Sequence, residues 1–413
     1  MECRGIAVDI DELNRVEQIM SREIKLLEEK AGACLGSPVL LNSTVQLRQV
    51  LYERLKLDKH LPKSTLYKTA KNQQTSTGEG VLNQLVCHHP FPKIILDYRQ
   101  VYKTQSTYIT ALRGYITEGV LRTQWLQTSV STGRIQSTKP NIQAVPKTSL
   151  TFLDETGTGV LVCPRSIYKP REGHTFISVD FRQLELRVFA HITSDKKLAN
   201  LLKDDCQDIF CNLSSIWMNK NANSVTHAER EKTKKIIYSV MYGVGKYKLS
   251  QHLNITPMEA QSITSRFLRD FPRVQEFTNK VVASCREKGY AESILGRRRM
   301  LGNIISKNFK DRTHAERQAV NFTIQGSASD ICKLVMKEIS RELQRSSVMA
   351  SLLIQIHDEL LYEVMDTHVE MAKAIFIRCM ETDGGAWYAG LQLRVPLRIA
   401  LKSGKNWAAM NPI

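Results

Sequence analysis

The stretch FISVDFRQLELRVFAH, residues 176–191, joins two kinds of apolar pattern at an aspartate. The run before Asp180 is apolar and rich in β-branched residues, which predicts a buried β-strand. The residues after it are apolar at helical spacing. Asp180 is therefore expected at a strand tip, just before a helix. An alternative makes Asp180 the N-cap of that helix, with Gln183 as its reciprocal partner.

A second aspartate lies within LLIQIHDELLYEV, residues 352–364. Apolar residues flank Asp358 on both sides, and this pattern predicts two strands joined by a tight turn. Asp358 would then lie at the tip of a hairpin, where the turn alone would favour a polar residue. Taken singly, each aspartate is open to a purely structural explanation.

Two carboxylates at adjacent strand ends would form a site for hard divalent cations. Carboxylate oxygens are the ligands that Mg²⁺ prefers. A pair of ions roughly 3.5–4 Å apart supports in-line phosphoryl transfer. Asp180 and Asp358, called the acidic pair below, therefore make phosphoryl transfer the leading hypothesis.

The charge balance of the chain indicates a polyanionic partner. The 413 residues suffice for two or three domains, and 58 Lys and Arg against 41 Asp and Glu give a formal charge of +17. Nucleic acid is the natural partner for such a surplus. An anionic membrane surface would attract the same charge, but no apolar run approaches the roughly 20 residues that a spanning helix needs.

The cysteines and the first residues indicate an intracellular protein. The nine cysteines are an odd, scattered set with no CxxC pair, which favours a reducing compartment over a disulfide framework or a zinc site. The N-terminal residues are charged and lack the apolar core of a signal peptide.

The rest of the chain is predominantly helical. A long amphipathic helix is predicted from Asp9 to about Ala31, and helical spacing returns over residues 81–115 and 206–301. Residues 59–80 are basic and polar, which predicts a flexible loop able to touch a phosphate backbone or simply to face solvent. Residues 128–146 have too much Gly and Pro for a helix and predict a loop carrying Arg134.

The segment HAEREKTKKIIYSVMYGVG, residues 227–245, predicts a nucleotide-binding helix. Arg230, Lys234, Tyr238 and Tyr242 are four residues apart and share one slowly drifting helical face. Two cations suit a triphosphate, and two rings suit a sugar and a base. A solvated charge run beside a half-buried aromatic stripe would give the same pattern. The acidic pair favours the nucleotide-binding interpretation.

Together these stretches resemble motifs A, B and C of family A DNA polymerases, in the family's order. The resemblance extends from about Gly5 to Trp407. It also covers STGR at 131–134, PNIQ at 140–143, GRRR at 296–299 and ERQAVNFTIQGSASD at 316–330.

The resemblance implies an α+β, mostly helical fold of the right-hand type. An antiparallel palm sheet would bring the acidic pair together, between helical fingers and a helical thumb. The domains it implies are the thumb at 1–110 with a first palm segment at its start, the first part of the palm with motif A at 111–190, the fingers with the nucleotide-binding helix at 191–325, and the second part of the palm with motif C at 326–413.

The resemblance also implies the catalytic residues. Asp180, Asp358 and the backbone carbonyl of Phe181 would hold two Mg²⁺ ions. Arg230 and Lys234 would bind the triphosphate and assist catalysis, with Lys234 the best placed to donate to the departing pyrophosphate.

Further residues would read the sugar, the base pair and the duplex. Glu185 would crowd a ribose 2′-hydroxyl and so favour deoxynucleotides, while Tyr238, Tyr242 and Lys235 would lie beside the incoming nucleotide. The primer-template DNA would be contacted by Arg134, Arg317, Asn321, Gln325 and His357.

Two departures from the bacterial pattern resemble the animal branches of the family: Lys235 replaces the usual threonine, and Tyr238 the usual phenylalanine. Ala144 stands where relatives commonly have asparagine, which implies the loss of one amide contact near the duplex. The implied enzyme is a low-fidelity nuclear monomer without a proofreading exonuclease, which acts in DNA repair or translesion synthesis.

Two competing functions remain at this stage. A catalytically silent protein that grips primer-template DNA would need the same net charge, although retention of the acidic pair and Lys234 argues against it. A single-subunit RNA polymerase shares parts of the motifs, although Glu185 argues against ribonucleotides.

Overall fold

A computed structural model describes residues 1–61, 75–153, 158–203 and 208–413. Within these ranges helical residues outnumber strand residues, as the sequence predicts. Most of the basic loop predicted at 59–80 lies outside the described residues. None of the described helices is both long and apolar enough to cross a membrane.

The α-helices of the described residues are α1 (Ile10–Leu35), α2 (Thr44–Arg48), α3 (Glu79–Leu85), α4 (Pro90–Tyr108), α5 (Leu184–Thr193), α6 (Lys196–Leu201), α7 (Ile209–Met218), α8 (His227–Met241), α9 (Lys246–Leu253), α10 (Pro257–Asp270), α11 (Pro272–Lys288), α12 (Phe309–Arg345) and α13 (Val369–Met380). A π-helix follows α2 at Gln49–Arg54. Short 3₁₀ helices lie at Leu57–His60, Thr110–Tyr115, Ile142–Ala144, Pro164–Ile167, Ala222–Ser224, Gly302–Ile305, Asp366–His368 and Tyr388–Gly390.

The strands are β1 (Ile6–Ala7), β2 (Ile116–Thr117), β3 (Val120–Leu121), β4 (Gln124–Leu126), β5 (Gln136–Thr138), β6 (Leu150–Leu153), β7 (Gly159–Val162), β8 (His174–Phe181), β9 (Tyr290–Glu292), β10 (Arg298–Met300), β11 (Ala350–Ile356), β12 (Glu359–Met365), β13 (Gly385–Ala386), β14 (Gln392–Leu393), β15 (Ile399–Gly404) and β16 (Asn411–Pro412). Apart from isolated bridges, every strand pair is antiparallel.

The long first helix begins where the sequence predicts. The Asp9 side chain caps α1 by accepting a hydrogen bond from the backbone N–H of Glu12 at 3.1 Å, which satisfies one of the free donors of the first turn. Gly36 ends the helix in the left-handed conformation, at φ 68°. The apolar face of α1 packs against α4 and forms the core of the N-terminal helical region.

The central sheet has the strand order β11-β12-β8-β15-β16. Side chains alternate across β8, so Ile177, Val179 and Phe181 enter a core shared with α12 and α13. Phe176 enters the core shared with α1 and α4 on the other face. Because β8 has partners on both edges and cores on both faces, the position of Asp180 near its end is fixed by the whole sheet.

The helices α5–α11 form a second helical region with its own core, into which α12 also packs. α12 is the longest of the described helices and also contacts the core beneath the sheet. The predicted domain boundary between residues 325 and 326 falls within this continuous helix. The domain limits therefore remain predictions.

The N-terminal residues are fastened to the sheet by a buried carboxylate. Glu363 on β12 has a fully buried side chain that pairs with Arg4 at 2.7 Å and with Arg171 at 2.8 Å. Burial by itself would raise the pKa of Glu363, but hydrogen bonds from Arg171 and Arg4 hold it below the ordinary value. The chain start and the strand β12 are therefore held together by charge.

Candidate active site

The sheet brings the acidic pair to the same edge of the molecule. Asp180 on β8 lies opposite Glu359 on β12, and Asp358 immediately precedes Glu359 in the β11–β12 turn. The backbone N–H of Phe181 donates to the carbonyl of Asp358 at 3.3 Å, so the backbones at the two acids are directly bonded. His357 completes the turn with a φ of 53°.

The N-cap interpretation of Asp180 is wrong. Asp180 is the penultimate residue of β8, and the N-cap of α5 is Gln183, in a left-handed conformation with no side-chain capping bond. Sheet pairing is the reason, because Phe181 still pairs with Ile399 and the N–H of Arg182 still donates to the Arg398 carbonyl at 2.8 Å. The turn interpretation of Asp358 is confirmed.

The convergence of these acids is electrostatically costly. Asp180 is open to the cleft, yet surrounding protein atoms displace much of its water, and this loss with repulsion from Glu359 and Asp358 raises its pKa to about 7. Burial also raises the pKa of Asp358, although Arg134 and His357 oppose the shift. Bound cations would relieve this repulsion.

The helix α8 places its cations across a cleft from the acidic pair. The cavity has a volume of about 430 Å³. Its lining residues, which define the cleft, are Asp180, Phe181, Arg182, Gln183, Phe210, Arg230, Lys234, Tyr238, Ile356, His357, Asp358 and Glu359. Residues of the sheet and of α8 are far apart in sequence, but they line the same cavity.

The two predicted phosphate-binding cations differ in their surroundings. The Arg230 guanidinium donates to Asp208 at 2.8 Å and to Glu231 at 2.6 Å, and it lies 5.4 Å from the ring centre of Phe210. Lys234 has no hydrogen-bond or ion-pair partner within the ranges that the structure describes. Arg230 is therefore held in place by carboxylates, whereas the Lys234 ammonium is available to a ligand.

The two tyrosines stay in contact although only Tyr238 lies within the helix. Tyr242 is the C-cap of α8, one residue past its end, and its ring stacks on that of Tyr238 with the centroids 6.2 Å apart. Its hydroxyl donates to Glu185. Tyr238 faces the cleft, and its hydroxyl has no hydrogen-bond partner among the described residues.

Glu185 is a buried carboxylate next to the cleft. Its residue is 8% exposed, and it accepts hydrogen bonds from Arg134 and from the Tyr242 hydroxyl. Burial raises the pKa of Glu185 to about 7, since repulsion by Asp358 adds to the shift while Arg134 only partly opposes it.

Lys235 does not lie in the cleft. It is exposed on α8, one residue beyond Lys234 and so about a quarter turn around the helix, and the structure does not place it among the lining residues. Its position beside the nascent base pair therefore stays a prediction.

Three predicted DNA-binding residues share one face of α12. Arg317, Asn321 and Gln325 are four residues apart and partly exposed. Arg317 also lines a groove of about 650 Å³ that Tyr242 and Gly243 border. The Oδ1 atom of Asn321 is buried without a hydrogen-bond partner, which leaves it free to accept from a ligand.

An arginine that sequence reasoning did not single out joins this face to the loop of Arg134. Arg297 donates to Asp330 at 2.9 Å, to the Thr132 carbonyl at 2.8 Å and to the Gly326 carbonyl at 3.0 Å. Gly133 has a φ of 78°, and a Cβ there would lie 2.4 Å from the guanidinium. The close approach therefore needs glycine.

A glutamine ties the loop around residues 135–143 to the strand before Asp358. The Gln143 side chain donates to the carbonyls of Gln355 at 2.7 Å and Ile135 at 3.0 Å. Both Gln143 and Arg297 lie in motifs that carry the family resemblance, so a signal for them existed. No sequence signal marked Phe210, whereas the alternation along β8 could have marked Arg182.

The donor set fits a hard divalent cation. The acidic pair and the Phe181 carbonyl offer oxygen ligands at one point, and burial of both carboxylates, together with repulsion of Asp180 by Glu359 and Asp358, raises their pKa values. No group of three or more His, Cys, Asp or Glu side chains in the described ranges is placed to hold an ion. A bound ion would therefore take further ligands from a substrate or from water.

Comparison with known proteins agrees with this geometry. The family model for DNA polymerase family A matches residues 10–409. DNA polymerase I of Bacillus subtilis (strain 168) is 34% identical over 410 residues, 98% of this chain and 44% of that protein. Thermostable DNA polymerase I of Thermus filiformis is 32% identical over 409 residues, 98% of this chain and 46% of that protein. The chain thus spans less than half the length of these curated relatives.

A solved structure confirms the predicted polymerase fold. The POL domain of Pol1 from M. smegmatis, in complex with DNA primer-template and dNTP, matches with a TM-score of 0.84 and 29% sequence identity. The match covers 98% of this chain and 68% of that one. The resemblance therefore extends through the sheet and both helical regions.

The raised pKa of Glu185 predicts a pH-dependent stability. The folded protein holds this proton more tightly than the unfolded chain, so the favourable contribution is full below about pH 4.5 and is lost as the pH rises toward about 7. Glu185→Gln should remove the loss. We expect the difference in free energy of unfolding, Glu185→Gln minus parent, to increase by on the order of 2 kcal/mol between pH 5 and pH 8.

Urea denaturation of both proteins across that range measures the difference. Glu287→Gln, at an exposed position on α11, is the matched control and should follow the parent. Parallel curves for the parent and Glu185→Gln would contradict the prediction.

Proposed function

The chain belongs to DNA polymerase family A, and we propose that it adds deoxynucleotides to a primer 3′ end under the direction of a template. The observation that carries this proposal is the cleft, where the acidic pair faces Arg230 and Lys234. The described complex of the M. smegmatis relative with primer-template and dNTP supports the same substrates here.

In this mechanism the acidic pair and the Phe181 carbonyl would hold two Mg²⁺ ions. Bound there, such ions would supply a lower pKa for a primer hydroxyl and positive charge beside the leaving pyrophosphate. Asp180 and Asp358 fix where the ions bind, because the β8–β12 pairing fixes their backbones. Relief of the repulsion between the carboxylates favours ion binding.

The residues of α8 bind the triphosphate. Lys234, which has no partner in the described chain, donates to phosphate oxygens and neutralises charge on the departing pyrophosphate. Arg230 presents a guanidinium whose position is set by Asp208 and Glu231. Because these two carboxylates already neutralise part of the charge on Arg230, we propose that Arg230 orients the phosphates as much as it attracts them.

Glu185 and the tyrosines select the sugar and the pair. Buried Glu185, fixed by Arg134 and Tyr242, leaves little space for a ribose 2′-hydroxyl. Tyr242 packs at the template side of the new pair. Arg134 and His357, with the α12 residues Arg317, Asn321 and Gln325, contact the duplex, where minor-groove acceptors are common to all correct pairs.

We further propose that the chain resembles animal DNA polymerase nu more closely than polymerase theta or bacterial DNA polymerase I. Lys235 and Tyr238 support this assignment. Such an enzyme would act as a nuclear monomer in repair or translesion synthesis, with low fidelity and alongside repair proteins.

The first prediction tests polymerisation itself. The parent should extend a primer in Mg²⁺, and Asp180→Asn should reduce the rate by at least about a thousandfold, because one charged oxygen ligand is lost from the metal site. Primer-extension gels over a time course measure both rates.

Asp11→Asn, at an exposed position of α1, is the matched control and should retain the parental rate. Circular dichroism verifies that each variant folds. Absence of extension by the folded parent, with tight primer-template binding, would instead indicate a silent DNA-binding protein. Preference for ribonucleotides would indicate an RNA polymerase.

The second prediction concerns Tyr238. Its free hydroxyl can replace the 3′-hydroxyl that a dideoxynucleotide lacks, so the parent should accept dideoxynucleotides well. Tyr238→Phe should lower their incorporation relative to deoxynucleotides by about tenfold or more, the value of one hydrogen bond to a charged group. Competitive incorporation of the two nucleotides measures the ratio, and strong discrimination by the parent would refute the idea.

The third prediction concerns Lys235. A cation beside the nascent base pair would donate hydrogen bonds to mismatched bases and so weaken discrimination against them. Lys235→Ala should therefore lower misincorporation severalfold. Lys232→Ala is the matched control, since Lys232 lies on another face of α8 against Trp217 and Met218. Single-nucleotide insertion opposite each template base gives the spectrum. An unchanged spectrum for Lys235→Ala would disprove the role.

A further inference from the structure

Arg182 shares a face of the chain with Asp180. The backbone of Arg182 still donates to Arg398 at 2.8 Å, so the extended pairing continues one residue past β8. Asp180 is exposed, Phe181 is 4% exposed, and Arg182 is exposed again. This alternation is that of a strand, in which residues two apart point to the same side. Arg182 therefore extends from the same surface as the metal-binding carboxylate.

Hydrogen bonds hold the backbone of Arg182 in place, but none of them involves its side chain. Its carbonyl accepts a hydrogen bond from Arg187 Nε at 2.9 Å, and α5 begins two residues later. The guanidinium itself has no hydrogen-bond or ion-pair partner in the part of the chain that the structure describes, and the residue lines the cleft. A rigid backbone thus presents a free guanidinium to the cleft.

The cationic side chains of the cleft differ in whether a carboxylate pairs with them. Arg230 is paired with Asp208 and Glu231. Among the described residues, Lys234 and Arg182 are the Lys and Arg side chains of the cleft that have no carboxylate partner. Lys234 belongs to α8 and Arg182 to the sheet edge, so they approach the cavity from different walls. A polyphosphate between the walls would contact both.

Resting on the proposed function, we propose that Arg182 is a third ligand of the triphosphate and binds it from the palm side. The guanidinium is a planar fork that can donate two parallel hydrogen bonds to phosphate oxygens, which an ammonium cannot do. Its placement two residues from Asp180 keeps it beside the metal site. Arg182 thus binds the phosphates of the incoming nucleotide before chemistry.

Two variants separate charge from geometry. Arg182→Gln removes the charge and keeps a polar side chain, and it should weaken dNTP binding by about tenfold or more while the maximal rate changes less than threefold. Arg182→Lys keeps the charge but loses the fork, and it should give an intermediate affinity. Single-turnover primer extension over a range of dNTP concentrations gives the affinity and the maximal rate separately.

A second measurement does not depend on catalysis. Isothermal titration of inorganic tripolyphosphate into the full chain in EDTA reports the cation contribution without metal or turnover. Arg182→Gln should bind it several times more weakly than the parent. Arg269→Gln, at an exposed position on α10, is the matched control and should bind like the parent.

The outcomes distinguish this proposal from the function on which it rests. A parent that extends primers while Arg182→Gln keeps the parental affinity for both ligands would overturn the role of Arg182 alone. A fall in maximal rate with unchanged affinities would do the same. A parent that fails to extend primers would refute the polymerase function, and the tripolyphosphate titration would still decide whether Arg182 binds phosphates.

Discussion

The pairing of β8 with β12 is the constraint on which the site depends. It places Asp180 opposite Glu359 and bonds the backbone at Phe181 to that at Asp358, so like charges are held together against their repulsion. Burial and, to a smaller extent, this repulsion raise the pKa of Asp180 to about 7. The sheet tolerates the repulsion because β8 is paired on both edges and packed on both faces, so local repulsion cannot displace it.

Some of the other charges of the site are balanced within the protein. Arg230 is paired with Asp208, and Glu185 with Arg134 and the Tyr242 hydroxyl. Under the proposed function, a nucleotide would have to compete with internal carboxylates for Arg230, whereas no carboxylate of the described chain pairs with Lys234 or Arg182. Both pairs are only partly buried, and we expect them to fix geometry more than to add stability. In the proposed function, the unpaired cations would attract the substrate and the paired ones would orient it.

Local sequence patterns predicted the helices and strands better than they predicted the tertiary contacts between them. Strand periodicity placed β8 and the β11–β12 hairpin, and the resemblance implied that they meet. The helix after Asp180 was located, but Asp180 itself was open to two interpretations, strand tip or N-cap, and only the pairing of β8 with β15 decided for the strand. The Arg230–Asp208 and Arg297–Asp330 contacts join residues whose spacing carries no period. Such contacts follow from tertiary packing, which one sequence does not reveal.

Arg297 explains how two surfaces expected to contact the duplex can act together. It binds the Thr132 carbonyl in the loop of Arg134 and the Gly326 carbonyl and Asp330 on α12. Asn321 and Gln325 lie on that same helix, which continues into the core beneath the sheet. Arg297 thus holds the loop of Arg134 against α12, and α12 in turn packs beneath the sheet that carries the acidic pair. Gly133 belongs to this arrangement because any side chain there would occupy the space of the guanidinium.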